Sequence, residues 1–570
     1  MILGLAGMVV ANAAVLLGAH ATLRKIRTGV AELDAILFLL LRFLIIGTVV
    51  LAAGLTGTLR GSLLGIAGVV VLSILLACGE HRRLPPLRLP PIPRFVGILL
   101  GIIAVRLALQ VWWFAPFAVD PVTYHLPKLS EWIREGRLVH AIGADPRETF
   151  PAGFELIETW WVVFLRHDLL IELAGVEFLV LGFVAVFALA RRLGLQEPAA
   201  ALAALLYILT PGVHLLAISC MNDTPVAVLI VATAALIQGR AHPALLLIPV
   251  GLGIGMKPTY AYALPGLLIL GWFVRRAPPS RPDSPRAAAL VAGIALAGGA
   301  FWYLRNAVVF GSPIYPVGQV SQLPGLPPVS ENLVWAGRRF LRLFELGIYD
   351  RDEPYTSLLA QIPGWGIAVF AMGLPALVDR LRQETSYRAL AGALLVSVSG
   401  VFLMCPPQFY VYRFVLFVPA LFAVAIAGSL DVHPAFPRLA RALTLFLLLG
   451  TVIPHDATMF LDRMTPQGWR ERTSETDFKD VPEGEKVACL YGFNSYLYAA
   501  AAPDFRRPLA GIRDASTAED LRDQLRRQGI RWLSSRGDPE SPRLKSIVAQ
   551  AERAGYLRRH GRELYRCTTP

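Results

Sequence analysis

The sequence predicts an all-α, polytopic membrane protein of about 14 transmembrane helices with helices on its outer face, followed by a small C-terminal α/β domain. Of the 570 residues, 55% are hydrophobic and only 17% are charged, whereas soluble domains carry about 25% charged residues. Apolar runs of about 18 residues, the length that crosses a bilayer, recur along the chain. Beyond residue 468, short strands and helices alternate instead.

The spans are predicted from these apolar runs in chain order. The first run, Met1–Leu17, has no basic flank before it and no clear cleavage site after it, so we expect a retained span rather than a signal peptide. The two runs around Lys257 could also form one broken helix. The predicted spans are 2–19, 35–56, 62–78, 95–114, 168–190, 197–217, 222–238, 243–256, 260–274, 286–305, 357–377, 388–405, 411–430 and 439–454.

Basic residues in the short loops predict the orientation, because lysine and arginine are enriched in cytoplasmic loops. With fourteen spans, the arginine-rich loops all fall on one side, which is then the cytoplasm. This topology accounts for much of the net charge of +13, so no nucleic-acid partner is expected. The remaining polar segments and the C-terminal part face outward. The cytoplasmic basic groups are Arg24, Lys25, Arg27, Arg82, Arg83, Arg88, Arg94, Arg191, Arg192, Arg240, Arg275, Arg276, Arg281, Arg380, Arg382, Arg388, Arg438 and Arg441.

The chain divides into three predicted parts. Residues 1–94 form an N-terminal three-helix extension, and residues 95–454 a transmembrane core with outer loops at 115–167 and 306–356. Residues 468–570 form an extracytoplasmic α/β domain, with strands at 486–491, 530–533 and 563–567 and helices at 517–528 and 543–554. Thr517 with Asp520 predicts a capped helix start. The five cysteines have no CxxC spacing, which disfavours zinc and redox motifs, and Cys489 and Cys567 could either pair or remain thiols.

The first outer loop holds the densest set of polar residues. Asp120 lies just beyond the apolar run that ends at Phe114, and ionisable groups near a bilayer are functional candidates because they are costly there. Such a carboxylate could take a proton from an attacking hydroxyl, although a solvated aspartate before a proline turn is the competing interpretation. Tyr124 and His125 lie beside it, although a histidine next to an apolar face is most often structural.

The residues that follow predict a helix over 123–135 lying on the membrane surface, with one apolar face. Aromatic side chains around this loop are typical of an interfacial belt, an interpretation preferred over sugar stacking. The apolar face comprises Leu126, Leu129, Trp132 and Ile133, and the belt comprises Trp112, Trp113, Phe114, Phe117, Trp160 and Trp161.

A second acid and three basic residues lie at outer helix ends. Asp223 begins a span, where capping of backbone donors is an alternative role. If Asp120 and Asp223 converge, their oxygens could bracket Mg²⁺ or Mn²⁺ or a cationic transition state. The basic residues Lys257, Arg305 and Arg413 could bind a phosphate or pyrophosphate, although snorkelling explains any one of them. A further helix over 333–346, with Arg338, Arg339 and Arg342, is expected to touch lipid headgroups.

Taken together, these elements resemble the GT-C superfold of membrane glycosyltransferases, which use polyprenyl-phosphate-linked sugars. The group includes the protein O-mannosyltransferases and the aminoarabinose transferases that modify lipid A. The resemblance covers about 95–454. Its motifs are Asp120 with Tyr124-His125-Leu126-Pro127, Pro151-Ala152-Gly153-Phe154-Glu155, Asn222-Asp223, Gly255-Met256-Lys257, Arg305-Asn306 through Gly311-Ser312-Pro313-Ile314-Tyr315-Pro316, and Arg413-Phe414 with Pro419.

The resemblance implies roles for these residues. Asp120 would be the base or a metal ligand, and Asp223 the second acid, a role that could pass to Asp145, Glu155 or Glu158. Lys257, Arg305 and Arg413 would contact the donor phosphate. Tyr124, His125 and Glu155 would contact substrate. Two adjacent acids are common in this loop of the group, whereas Pro121 follows Asp120 here. No cofactor is certain from the sequence beyond a candidate divalent cation.

The implied function is inverting sugar transfer from a polyprenyl-phosphate donor to an acceptor lipid, glycan or protein, on the outer face of the cytoplasmic membrane. A transporter or flippase of a lipid-linked sugar, without bond chemistry, is the main alternative. The paired halves that transporters commonly show are not evident in the sequence. A sugar-polymer ligase or polymerase is a third alternative with the same outward-facing loops.

Overall fold

The structure, a computed structural model, describes fifteen stretches of the chain. The fold class predicted from the sequence, a helical multi-pass membrane protein with a small C-terminal α/β region, is confirmed. The described residues are 2–84, 92–116, 118, 120–139, 146–274, 279–316, 367–404, 411–432, 435–447, 478, 480–490, 497–512, 515–535, 542–561 and 564–568. The candidate residues Asp145 and Cys405 and the predicted helix over 333–346 lie outside them.

The helices follow the apolar runs of the sequence closely, and each of the fourteen predicted spans overlaps a helix. The first thirteen are α1 (Ile2–Ile26), α2 (Ala31–Thr56), α3 (Gly61–Ala77), α4 (Arg94–Trp113), α5 (Leu126–Glu135), α6 (Gly153–Val163), α7 (Leu173–Arg192), α8 (Glu197–Ile208), α9 (Pro211–Ala217), α10 (Asp223–Gln238), α11 (Pro243–Met256), α12 (Thr259–Val274) and α13 (Pro285–Phe310). Helices Ile367–Gln383, Thr385–Met404, Val418–Asp431 and Phe436–Leu447 follow them.

Six helices within the described residues are long and apolar enough to cross a membrane, and a bent pair raises the number to seven. Five more apolar helices have 10–17 residues, so the count of 14 spans stays a prediction. The bent pair is α8 and α9, which meet at 64°. Pro211 causes the break, because the residue before a proline is disfavoured in helical conformation, and Thr210 is accordingly extended at ψ 124°.

Helix α4 shows how these segments face lipid on one side and protein on the other. Its exposed apolar residues recur at helical spacing and form one stripe, whereas the opposite side is buried in the main core. The same core continues through α1, α2 and α6–α13. The stripe comprises Ile98, Ile102, Val105 and Leu109, with exposed fractions of 58%, 48%, 62% and 36%.

Glycine permits a close backbone contact between α11 and α13 in the core. A Cβ on either Gly251 or Gly299 would collide with the backbone of the opposite helix. Small residues at such crossings let two helices pack by direct backbone contact, which is the usual basis of association in a membrane. The crossing fixes the course of α11, whose C-terminal end carries the loop with Lys257.

The connecting loops collect at one end of the helix bundle, as the charge pattern predicts. Arg24 pairs with Glu80 at 3.3 Å, and Arg27 pairs with Asp283 at 2.8 Å. The loop after α10 joins them through Ser280, whose N–H donates to the Arg240 carbonyl. The basic loops of α1, α3, α10 and α13 therefore share one face.

An ion pair inside the bundle ties the N-terminal helices to the rest of the core. Arg42 of α2 lies 2.5 Å from the Glu177 carboxylate of α7. The same guanidinium donates to the side chain of Asn12 in α1, which also accepts from Trp160 of α6. Trp160, expected in the interfacial belt, is buried here, whereas Trp112 is 60% exposed.

The C-terminal part forms a five-stranded mixed sheet in the order β2-β1-β3-β5-β4. Strand β1 pairs in parallel with β2 and β3, and β5 pairs antiparallel with β3 and β4. Helices Ala518–Arg527 and Pro542–Arg553 cover one face. No disulfide joins Cys489 of β1 to Cys567 of β5. The strands are β1 (Val487–Leu490), β2 (Leu509–Ile512), β3 (Trp532–Ser534), β4 (Leu557–Arg559) and β5 (Leu564–Cys567); β2 and β4 escaped the sequence prediction.

The C-terminal part docks onto α5 of the first outer loop and onto Asp168, just after that loop, through hydrogen bonds to two buried acids. The Leu509 N–H at the start of β2 donates to Glu131 of α5 at 3.0 Å. The Tyr498 hydroxyl donates to Asp168 at 3.1 Å, and the Asp168 N–H donates to the Pro503 carbonyl. The loop that carries Asp120 is therefore held between the helical core and the C-terminal part.

Candidate functional site

The polar segment after α4 folds into one turn of π-helix followed directly by α5. Asp120 precedes the π-helical turn Pro121–His125, which the Leu126 N–H closes by donating to the Pro121 carbonyl. Such turns are rare in proteins, and those that occur often lie at functional sites. Pro121 fits at this start because its missing N–H would have no partner in the helix. Tyr124 and His125 follow Asp120 by about one turn.

The helix expected on the membrane surface is instead buried. Leu126, Leu129, Trp132 and Ile133 do share one face, and they pack into the main core. The opposite, polar face is also covered, because the helix Tyr498–Ala501 and strand β2 pack against it. The surface-helix interpretation was wrong because the sequence did not reveal that a second part of the chain covers this side.

Asp120 is paired with Arg413, which lies 293 residues further along the chain. The Arg413 Nη2 donates to Asp120 Oδ2 at 2.7 Å, and the two side chains are 17% and 16% exposed. Arg413 comes from the short 3₁₀ turn Val411–Val415, just before the helix Val418–Asp431. Asp120 is therefore a partner in a charge-assisted hydrogen bond and not a solvated loop residue.

Asp223 joins the same group of charges. Its side chain is fully buried, Lys257 Nζ lies 2.7 Å from its Oδ1, and Arg413 Nε lies 3.9 Å from its Oδ2. Its carboxylate therefore faces two cations and does not cap the backbone N–H groups at the start of α10. Asp120, Arg413, Asp223 and Lys257 form one continuous set of alternating charges, which we call the ion cluster.

The chain positions Lys257 by ending α11 there. The backbone of Lys257 is extended and Pro258 follows, so α11 stops at Met256 and α12 starts at Thr259. Asn222, adjacent to Asp223, donates from Nδ2 to the Met256 carbonyl at 3.2 Å. This bond fixes the acid and the lysine relative to each other.

An aromatic ring supports both cations of the ion cluster. Lys257 Nζ lies 4.5 Å and Arg413 Cζ 5.2 Å from the centroid of the Phe414 ring. Cation–π contacts of this kind favour a charged group over the ring face. Phe414 thus holds the two cations side by side, as binding of one anionic group would require.

Beside the ion cluster, His125 is held by a buried acid on α6. Its Nδ1 lies 2.7 Å from Glu155 Oε1, and the Lys128 ammonium lies 2.6 Å from the same oxygen. Both the His125 and the Glu155 side chains are almost fully buried. The His125 ring also packs on Tyr124, with centroids 4.3 Å apart. The sequence did not single out Lys128, because it was assigned to a polar helix face.

Neighbouring cations keep both acids ionised. Burial by itself would raise the pKa of Asp120, but Arg413 and then Arg147 lower it, and the net result lies well below its usual value. Burial likewise opposes ionisation of Glu155, yet Lys128 and His125 lower its pKa to about 2. Both groups are carboxylates at neutral pH.

Two side chains next to these acids, His125 and Tyr124, are uncharged at neutral pH. Burial lowers the pKa of His125 more than Glu155 raises it, so the imidazole is neutral near pH 7. Burial and the adjacent Asp120 raise the pKa of the Tyr124 phenol well above its usual value.

Glu155 and Glu158, the described alternatives to Asp223 as the second acid, lie in surroundings that differ from those of Asp223. Glu155 is occupied by His125 and Lys128. Glu158, one helical turn further on, is fully buried; burial and the adjacent Glu155 raise its pKa well above the usual range. A neutral carboxylic acid does not fit the role of a charged second acid, so the geometry favours Asp223.

Arg305 is not part of the ion cluster. Its guanidinium donates to the Thr149 carbonyl and, at 3.0 Å from Nε, to the side chain of Asn306. Asn306 in turn donates to the carbonyls of Thr149 and Tyr315. The Arg305-Asn306 motif thus fastens α13 to the first outer loop, whereas the sequence predicted a phosphate contact.

Arg147 is a site residue that the sequence analysis missed. It lies in the 3₁₀ turn Pro146–Thr149, is only 6% exposed, and places its Cζ 4.6 Å from the Tyr124 ring centroid. It also acts electrostatically on Asp120. No local pattern in the sequence singled out Arg147.

The ion cluster does not fit a divalent cation as arranged. Asp120 and Asp223, the tentative metal ligands, each face Arg413, and Lys257 also occupies Asp223. Two carboxylates matched by two cations do not provide the anionic oxygen set that Mg²⁺ or Mn²⁺ requires. Within the described stretches, no group of three His, Cys, Asp or Glu side chains is arranged for a metal either.

A glycine contact couples the two halves of the site and yields a prediction. A Cβ on Gly153, at the start of α6, would lie 2.7 Å from the Gly255 carbonyl oxygen of α11. Gly153→Ala should therefore push α6, with Glu155, away from the end of α11, at a cost of about 1–3 kcal/mol. We expect a lower midpoint of thermal unfolding in detergent.

Gly298→Ala is the matched control, because a Cβ there meets no atom within 4 Å among the described residues. Equal midpoints for the two alanine variants would contradict the close contact between α6 and α11.

The chain is similar in overall structure to three solved membrane proteins. An oligosaccharyltransferase of Archaeoglobus fulgidus, in complex with Zn and sulfate, shares 17% identity and a TM-score of 0.43, over 81% of this chain and 71% of that one. ArnT from Cupriavidus metallidurans, bound to undecaprenyl phosphate, shares 13% identity and a TM-score of 0.49, over 83% and 98%. The arabinofuranosyltransferase AftD from Mycobacteria shares 16% identity and a TM-score of 0.44, over 81% and 37%.

No family model and no curated protein matches the chain.

Proposed function

We propose that this protein transfers a sugar from a polyprenyl-phosphate donor to an acceptor hydroxyl, with inversion at the anomeric carbon. The reaction takes place on the outer face of the cytoplasmic membrane. The acceptor is a lipid, a glycan or a protein that presents its hydroxyl at this face.

The ion cluster is the observation that carries this proposal. Residues from four distant segments converge where apolar helices end, so a lipid tail can remain in the bilayer while its phosphate reaches the cations. Lys257, Arg413 and Arg147 all lower the pKa of Asp120, so three cations lie near this carboxylate. Arginine binds phosphate oxygens through parallel hydrogen bonds, and lysine adds a point charge.

The arrangement suits a displacement at the sugar. The acceptor oxygen attacks the anomeric carbon while the bond from that carbon to the phosphate oxygen breaks, and the polyprenyl phosphate leaves. Lys257 and Arg413 stabilise the charge that develops on the leaving phosphate. Asp120, whose carboxylate is already engaged by Arg413, orients the acceptor and fixes the guanidinium rather than serving as a strong base.

The test uses purified protein and a polyprenyl-phosphate donor labelled in both sugar and lipid. Transfer predicts release of polyprenyl phosphate together with a product of inverted anomeric configuration. A transporter or flippase of the same lipid would move the donor between leaflets intact. Translocation without any cleavage of the donor, across donors with several sugars, would refute the proposed function.

A further inference from the structure

One ring nitrogen of His125 makes a hydrogen bond and the other does not, among the residues that the structure describes. Nδ1 lies 2.7 Å from Glu155 Oε1, and Nε2 makes no hydrogen bond with any residue in the described part of the chain. Because Glu155 is ionised between Lys128 and His125, it accepts a hydrogen bond from the Nδ1–H group, which keeps its proton. The neutral tautomer of His125 then carries its lone pair on Nε2.

Asp120 is a poor proton acceptor in this structure. Arg413 already donates to it at 2.7 Å, and three cations favour its ionised form. Protonation would break a buried charge-assisted bond, which is costly. Yet an attacking hydroxyl must lose its proton as the new glycosidic bond forms, so another group near Asp120 has to accept it.

We propose that His125 is the proton acceptor of the transfer reaction and that Glu155 is its positioning residue. This inference rests on the proposed function. The acceptor oxygen forms a bond to the anomeric carbon, its proton passes to His125 Nε2, and the electron pair of the breaking bond leaves with the phosphate. Glu155 and the nearby Asp120 stabilise the imidazolium, which returns its proton to solvent or to the departing phosphate.

The lysine next to Glu155 serves the same arrangement. Lys128 Nζ lies 2.6 Å from Glu155 Oε1, the same oxygen that accepts from His125 Nδ1. The ammonium therefore keeps a negative charge beside Nδ1, which favours the tautomer with its lone pair on Nε2. The combination of buried acid, oriented imidazole and reacting hydroxyl is the usual arrangement for general-base help, worth about 10²–10⁴-fold in rate.

The pH dependence follows from the groups that surround His125. A base must be unprotonated, so the rate should fall on the acid side as pH drops through the pKa of His125. Burial places that pKa below its ordinary value, and the acid limb should lie correspondingly low. The groups that act on His125 are Glu155, Lys128 and Asp120, and Tyr124 packs on its ring. The elements packed against its turn add Arg147 and Glu148 of the 3₁₀ turn Pro146–Thr149 and Tyr498 of the helix Tyr498–Ala501.

Two substitutions at the same position separate a base from a structural residue. In His125→Asn the amide nitrogen takes the place of Nδ1, so the bond to Glu155 is kept while Nε2 is lost. In His125→Gln the amide takes the place of Nε2 but cannot accept a proton at neutral pH. We expect both variants to lose about 10²–10⁴-fold in kcat, to lose the acid limb, and to bind decaprenyl phosphate within threefold of wild type.

His81→Gln, at an exposed position of the opposite face, is the matched control and should transfer at the wild-type rate. If His125→Asn keeps at least half of the wild-type kcat or an unchanged acid limb, His125 is not the base, although the proposed function stands. If wild-type protein cleaves no polyprenyl-phosphate sugar, the proposed function itself fails. A variant that no longer binds decaprenyl phosphate would also contradict the inference, since it would show a role in holding the site together.

Discussion

Asp120→Asn is expected to lower kcat/KM for sugar transfer by about 10²–10³-fold or more, the usual loss when a preorganised charged group is removed. The substitution keeps the shape of the side chain and removes its charge, so Arg413 loses the partner at 2.7 Å that fixes it. Expression and membrane insertion should be unchanged, because Asp120 lies outside the apolar helices. Initial rates with a labelled donor measure the effect.

Asp283→Asn provides the comparison. This exposed acid pairs with Arg27 at 2.8 Å on the opposite face, and such surface pairs contribute only about 0–1 kcal/mol. It should transfer at the wild-type rate. An Asp120→Asn protein that retains full transfer activity would show that the ion cluster is not the reaction site.

Lys257→Met is expected to destabilise the protein by about 3–5 kcal/mol, because it leaves a buried carboxylate without its nearest partner. The Asp223 side chain is fully buried, and Arg413 at 3.9 Å is then its closest remaining cation. The midpoint of thermal unfolding in detergent should drop, and the KM for the donor should rise because a phosphate-binding cation is gone.

The double variant Asp223→Asn with Lys257→Met separates stability from function. Removing both members of a buried pair is often close to neutral for stability, so the unfolding midpoint should recover most of the loss. Transfer should not recover, because the ion cluster then lacks one acid and one cation. Recovery of transfer together with stability would mean that the pair is purely structural.

The helices could be predicted from the sequence because hydrophobicity alone decides which segments enter a membrane. The end of α11 at Lys257-Pro258 follows a local rule as well. The break at Pro211 was missed, because 197–217 was predicted as one continuous span. Strands β2 (Leu-Ala-Gly-Ile) and β4 (Leu-Arg-Arg) could not be predicted, because they hold few of the β-branched and aromatic residues typical of strands. Their conformation comes from pairing with the neighbouring strand.

The composition of the ion cluster was within reach of the sequence, but its pairing was not. Asp120, Asp223, Lys257 and Arg413 stand out as charged residues at the ends of apolar runs. Which acid meets which cation depends on how helices far apart in the chain pack. The same limit explains Arg305, which has the right residue type and location but faces the Thr149 carbonyl.

The sequence analysis missed two residues, Lys128 and Arg147, whose place in the site depends on contacts with segments distant from them in the chain. Lys128 looked like a solvated residue on a polar helix face, yet it is buried and contacts Glu155 of α6. Arg147 gave no local pattern, since its importance comes from contact with Tyr124.

The most direct measurement is an experimental structure of the protein with bound polyprenyl phosphate. We expect the phosphate oxygens within hydrogen-bond distance of Lys257 Nζ and the Arg413 guanidinium, with the lipid chain along the apolar helices and His125 Nε2 open toward the space beside the phosphate. A phosphate bound at the basic loops of the opposite face, or at the outer face but away from both Lys257 and Arg413, would contradict this account.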